Sequence, residues 1–139
     1  MKSELGIGNK EESVATGDER PHKRLEVWQR SMMLVKKVYD LTKEFPKNET
    51  YGLSSQMQRS AVSIPGNIAE GAARKSKAEF LQFLNIAQGS LSELDTHLEL
   101  AYMLGYIDEE RQKEILTELT TIFKMLSGLI RRLKNSSEK

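Results

Sequence analysis

Between Arg24 and Lys134 the apolar residues recur every three or four positions, and no stretch alternates with period two. That periodicity is the signature of helices with one buried face, and it leaves little room for a sheet. Leu25, Trp28, Met32, Val35, Tyr39 and Thr42 form one such series, and Leu34, Val38, Leu41 and Phe45 run beside it. Two adjacent stripes predict a first helix buried over a broad arc. Pro46 ends it, because the residue before a proline is pushed out of the α region, and 47–52 reads as a connector.

A second helix is expected from near Leu53, capped by Thr50 or Ser54, with Met57, Ala61, Ile64, Ile68 and Ala72 on its apolar face. Pro65 interrupts that face and Gly66 follows at once. A proline inside a helix removes one backbone hydrogen bond and costs about 3 kcal/mol unless a bend absorbs it. A kink near Pro65, or a local break over 61–66, is therefore expected. The third helix has the strongest start signal: Ser76 followed by Glu79, the spacing of a capping box. Phe80, Leu84, Ala87, Leu91, Leu94, Leu98 and Ala101 then repeat up to the stop at Gly105. Asp108 is the expected N-cap of the fourth helix. Ile115, Leu119, Ile122, Leu126, Leu129 and Leu133 line that helix, with Leu116, Phe123 and Ile130 alongside.

Four helices on short connections predict an all-α fold, an antiparallel up-down-up-down four-helix bundle over 23–135 with helix two kinked near Pro65. Seventeen leucines against five valines fit that reading better than a sheet. Residues 1–22 are expected to be a disordered leader, being rich in Ser, Gly and charge with scattered apolar positions. Residues 136–139 form a matching tail. No apolar run approaches the ~20 residues of a membrane span, and the N-terminus lacks the apolar core of a secretory signal. A cytoplasmic location without membrane contact is the expectation. The formal charge of +1 divides into −2 for residues 1–20 and +3 for the remainder.

The inventory of reactive groups points away from catalysis. With no cysteine, thiolate metal sites and cysteine nucleophiles are excluded. The segment Gly66-Asn-Ile-Ala-Glu-Gly71 has the glycine spacing of a phosphate loop, but Ala72 and Ala73 stand where Lys and Ser or Thr are needed. A di-metal bundle site needs two Glu-x-x-His pairs, whereas only Glu93 and His97 come close, and the other histidine is His22. His97 likewise lacks the context of a nucleophile elbow. The expectation is a non-enzymatic chain with no catalytic, cofactor or metal residue and no small-molecule substrate.

Two polar constellations remain. Arg59, Ser63, Asn67, Glu70 and Arg74 share one stripe of the second helix. They form either a solvated face or a polar network between helices or subunits, in which Glu70 binds an arginine and Asn67 a backbone group. Arg74, Lys75 and Lys77 lie between helices two and three, while Arg131, Arg132 and Lys134 close helix four. Antiparallel topology puts both clusters at one end of the bundle, where they could contact the phosphates of RNA or DNA. The second apolar stripes of helices one and four exceed what one core needs and argue for self-association.

The strings Leu25-Glu-Val-Trp28, Tyr51-Gly-Leu53 with Gln56, Arg59-Ser-Ala-Val-Ser-Ile-Pro-Gly-Asn-Ile-Ala-Glu-Gly71, Ala87-Gln-Gly-Ser-Leu-Ser-Glu-Leu94 and Leu104-Gly-Tyr-Ile107 stand in that order. By these the chain resembles the bacterial four-helix-bundle proteins encoded in intervening sequences of 23S rRNA genes. That group is similar to the accessory variability proteins of diversity-generating retroelements. The resemblance covers about residues 24–134. It implies a ring-like homopentamer without catalytic residues. From the retroelement relatives it implies binding of a reverse transcriptase and its RNA through a basic surface. The function so implied is an oligomeric scaffold that binds RNA, a reverse transcriptase or both; the alternative is a protein–protein adaptor with no nucleic-acid role.

Overall fold

The computed structural model describes residues 20–136. Within them the chain forms four helices: α1 (Glu26–Thr42), α2 (Leu53–Ala72), α3 (Lys77–Met103) and α4 (Glu109–Lys134). Two 3-10 turns, Pro21–Arg24 and Lys47–Glu49, precede α1 and α2, and no strand occurs among the described residues. The leader and tail fall largely outside these residues. Pro21 and His22, assigned to the leader by sequence, instead open the first 3-10 turn.

The helix boundaries follow from local chemistry. Ser76 Oγ accepts a hydrogen bond from the Glu79 amide at 3.1 Å, so the expected cap of α3 forms. At its other end Gly105 takes φ 80°. Its amide bonds to the Tyr102 carbonyl, and the Tyr106 amide bonds back to Ala101, both of which close the last turn. Asp108 Oδ1 accepts from the Arg111 amide at 2.8 Å and caps α4. For α2 the expected caps were wrong. Neither Thr50 nor Ser54 serves; Glu49 reaches forward so that its Oε1 accepts from the Leu53 amide at 2.9 Å. Its Oε2 accepts from the Tyr106 hydroxyl at 2.6 Å, tying the α1–α2 connection to the α3–α4 connection. Those two bonds hold the Glu49 carboxyl below its ordinary value, the one from Tyr106 contributing most.

A break at 61–66 does not occur: α2 runs unbroken through a buried Pro65. The α1 core face is also turned from the first expected stripe. Val27, Ser31, Leu34, Val38, Leu41 and Phe45 are buried, while Met32 and Tyr39 face outward. Ser31 can enter the core because its hydroxyl donates to the Trp28 carbonyl at 2.8 Å, which satisfies the polar group internally.

Each helix packs on the next, and α1 packs on α4, which closes the up-down-up-down bundle. The α2–α3 pair has the most extensive contact. Small residues explain it: Gly71 is buried against Phe80 and Phe83, and Ser60 and Ser63 face α3. Met57, Ile64, Ile68, Leu84, Leu94, Leu98, Ile122 and Leu126 fill the centre with essentially no exposure.

Candidate nucleic-acid interface

The polar stripe of α2 divides according to its neighbours. Ser63 Oγ meets Ser90 Oγ at 2.7 Å across the α2–α3 contact. Asn67 Nδ2 donates to the Ser63 carbonyl and hydroxyl at 2.8 and 2.9 Å. Glu70 binds an arginine, but the one four residues further along the chain, Arg74, just past the end of α2. Arg59 is exposed. Ser63 thus fastens α2 to α3, with Asn67 bonded to it from within α2, and Arg59, Glu70 and Arg74 are exposed.

A second polar contact lies in the same interface, one the spacing along the chain did not disclose. His97 is only 5% exposed. Its Nδ1 lies 3.3 Å from Ser60 Oγ, and its Nε2 is 3.9 Å from a Glu93 carboxylate oxygen. The trio resembles a serine–histidine–carboxylate relay in outline only. The Ser60 hydroxyl also lies 3.2 Å from the Met57 carbonyl, to which it can donate, so two acceptors compete for its one hydrogen and its direction toward His97 depends on the imidazole tautomer. Burial holds the imidazole below its ordinary pKa, against the opposing charge of Glu93. Among the described residues no three His, Asp or Glu converge on a metal-binding geometry.

The two basic clusters do meet. Lys77 Nζ donates to the Ser136 carbonyl at 2.8 Å, which joins the start of α3 to the end of α4. Lys75, Arg131, Arg132 and Lys134 are exposed around that junction, and Arg74 lies over the Phe83 ring at 5.0 Å. Arg131 and Lys134 line a shallow cavity of about 260 Å³ with Gln88, Ser127, Ile130 and Asn135. On the other side of α4, Arg132 lines a cavity of about 270 Å³ with Leu25, Glu26, Val27, Met125 and Leu129.

A third group of cations joins them from the segment before α1. The 3-10 turn Pro21–Arg24 packs on α1 and α2, which brings Arg20, Lys23 and Arg24 to the same end. Burial lowers the pKa of His22 first, and the nearby charges of Lys23 and Arg20 lower it further. The sequence reading leaves them out of the basic surface: Arg20 falls in its leader, while Lys23 and Arg24, within its 23–135 bundle, are grouped with neither cluster. The topology itself was the usable signal, since α1 must begin where α2 ends.

Charge is accordingly sorted by end. Segments 20–26, 70–79 and 128–136 carry nine Lys and Arg against three Glu, a net of +6. At the opposite end, segments 40–53 and 99–114 carry eight Asp and Glu against four Lys and Arg, a net of −4. The overall charge of +1 conceals this separation.

The flanks carry apolar surface. Between α3 and α4 a groove of about 270 Å³ is lined by Leu91, Ser92, Asp95, Leu116, Leu119, Thr120 and Phe123. Phe123 is 46% and Met33 of α1 58% exposed. The second stripe of α4 is thus partly outside the core at Leu116 and Phe123, whereas on α1 the second stripe is buried and it is Met32 and Tyr39 of the first that face outward.

Taken together, these features define an all-α four-helix-bundle protein with a cationic end, an anionic end and apolar flanks. Its motifs find their match in a family model: that of the 23S rRNA-intervening sequence proteins covers residues 23–128, and the chain belongs to that family. It is also similar to the crystal structure of a protein of unknown function from the S23 ribosomal protein family of Bacteroides thetaiotaomicron VPI-5482. The two are 29% identical with a TM-score of 0.70, over 76% of this chain and 95% of that one. No curated protein matches the chain.

Proposed function

We propose that this chain is a non-enzymatic, homo-oligomeric scaffold that binds RNA through its basic end. The observation that carries the reading is the convergence of three separate cationic segments there, with the Lys77–Ser136 bond joining two of them. A surface of net +6 on a chain of net +1 concentrates polyanion affinity in one place. The exposed apolar groups of α1, α3 and α4 supply contact area for further copies. The family resemblance makes the expected ring a pentamer and adds a reverse transcriptase as a protein that such a surface can serve.

RNA affinity measured across salt concentrations tests the reading. For single-stranded RNA the logarithm of affinity falls with the logarithm of salt by about 0.7 per phosphate contact. Replacing Lys75, Arg131 and Arg132 together by alanine should therefore lower that slope by about 2. These three are chosen because Lys77 and Arg74 have structural partners. Salt-independent or absent binding refutes the RNA reading and favours the adaptor role. Light scattering tests assembly: a mass of one 15.8 kDa chain refutes the scaffold reading, and five chains are expected.

A further inference from the structure

We infer that the cavity between the start of α1 and the end of α4 is a guanine pocket, in which the Glu26 carboxylate reads one base of an RNA strand held on the basic end. This rests on the RNA reading and adds the base that the surface prefers.

The cavity, of about 270 Å³, has one wall from each helix. Leu25, Glu26 and Val27 come from the start of α1, and Met125, Leu129 and Arg132 from α4. Val27 is 4% exposed, and Leu25, Met125 and Leu129 are half-buried against the core, so the apolar walls are held from behind. The volume falls just under the range of about 300–1,000 Å³ for pockets of drug-sized ligands, which suits a single planar base. Bases drawn out of a strand are held between apolar or aromatic side chains. A thioether such as that of Met125 also makes favourable contact with an aromatic ring.

The polar groups select the ligand. Of the three glutamates at the basic end, Glu70 is paired with Arg74, and Glu79 belongs to the capping turn of α3. Glu26 is exposed and, among the described residues, has no ion-pair or side-chain hydrogen-bond partner. It suits the positive end of the α1 dipole, a role that leaves both its oxygens open to a ligand. A carboxylate accepts two parallel hydrogen bonds. Guanine alone among the RNA bases sets two donors side by side, N1–H and the N2 amino group. Adenine and cytosine place an acceptor nitrogen beside their amino group, and uracil places a carbonyl on each side of N3–H; a carboxylate repels these acceptors. Arg132 remains a phosphate contact. Its Nη1 lies 3.5 Å from where a Cβ of Gly128 would stand. The guanidinium thus lies back along α4 beside the bare glycine, where it lines the cavity and stays exposed to a phosphate of the same nucleotide.

The test uses the full chain and fluorescein-labelled oligouridylate, with copies in which one central uridine is replaced by guanosine, inosine, adenosine or cytidine. The guanosine strand should bind about 10-fold more tightly than the uridine, adenosine and cytidine strands, the step expected of one good bidentate contact. Inosine, which lacks the N2 amino group, should keep only part of that gain. In Glu26→Gln the preference should vanish. In Glu79→Gln, which removes the same charge from the same end, it should persist. Equal affinities for all strands, a preference that survives Glu26→Gln, or one lost equally in Glu79→Gln would overturn the pocket and leave the RNA reading in place. A second measurement does not depend on strand binding. With methyl-labelled methionine, the Met125 resonance, identified through Met125→Leu, should move on titration with guanosine monophosphate and stay still with uridine monophosphate. Equal movement with both, or none with either, overturns the pocket. If no strand binds but guanosine monophosphate alone moves Met125, the RNA reading fails and the guanine pocket stands.

Discussion

Replacing Gly71 by alanine adds one methyl group where the end of α2 runs against the first turns of α3. In an open helical site that change gains up to about 1 kcal/mol, since glycine is a poor helix former. At Gly71 the new Cβ would lie 2.8 Å from Phe83 Cβ, 2.9 Å from Phe80 Cδ1 and 3.2 Å from the Phe80 carbonyl oxygen. The Phe80 ring can turn aside, but Phe83 Cβ and the carbonyl move only with the α3 backbone. Overpacking of this kind costs about 1–3 kcal/mol. With two of the three contacts fixed to the backbone, a cost in the upper part of that range applies, and the net loss is about 1–2 kcal/mol. Gly66 and Gly89 are helical too, yet a Cβ there meets nothing within 4 Å. Alanine at either should stabilise by about 0.5–1 kcal/mol. Thermal and urea denaturation followed by circular dichroism can compare the three variants. All should be run at one protein concentration, because the proposed assembly would make the midpoint concentration-dependent. For a body of this size the melting points of Gly71→Ala and Gly89→Ala should differ by on the order of 10 °C. If Gly71→Ala melts at or above Gly89→Ala, the close α2–α3 approach is not what fixes glycine in this string.

Other expectations concern the α2–α3 contact and the turn that follows it. Ser90→Ala leaves the Ser63 hydroxyl facing a methyl group and should cost about 1–2 kcal/mol; with Ser63→Ala added, the loss should fall short of the sum by at least about 0.5 kcal/mol, and strict additivity would mean the hydroxyls are not coupled. Because burial lowers the folded pKa of His97, the unfolded chain takes up that proton first as pH falls below about 6.5. Stability should therefore decline from pH 7 to 5, and less so in His97→Gln; equal pH slopes for both proteins would assign the decline to another group. Gly105→Ala should cost about 1–2 kcal/mol despite open space around it, because φ is 80° there, whereas a neutral outcome would show that the turn rearranges freely.

What could be read from the chain was whatever one segment decides by itself. Ser76 with Glu79, Gly105 and Asp108 are local devices, and each marks its helix end where the sequence put it. On α1 the stripe Leu34, Val38, Leu41 and Phe45 is the buried one, but its continuation through Ser31 was not legible, because Ser31 counts as polar in any pattern and its bond to the Trp28 carbonyl appears only in the folded helix. Glu49 could not be identified as a cap, since it reaches four residues along to Leu53 while also receiving a bond from Tyr106, 57 positions away. The contacts of Ser63 with Ser90 and of Ser60 with His97 are equally non-local. The basic end was half legible. Two of its clusters followed from the antiparallel order; the third was missed because Arg20 fell in the leader and Lys23 and Arg24 stand ahead of the first helix, where no apolar period places them.

The sorting of charge by end also bears on how copies can stand together. In a ring of parallel bundles each cationic end adjoins other cationic ends, and each anionic end its like. Assembly would then work against its own electrostatics, with the apolar flanks supplying the attraction. Added salt should tighten such a ring while loosening its hold on RNA, so that the two properties respond to ionic strength in opposite senses. A polyanion laid across several cationic ends would act as shared counterion and relieve their repulsion. By reciprocity, whatever RNA contributes to closing the ring, the closed ring returns as affinity for RNA.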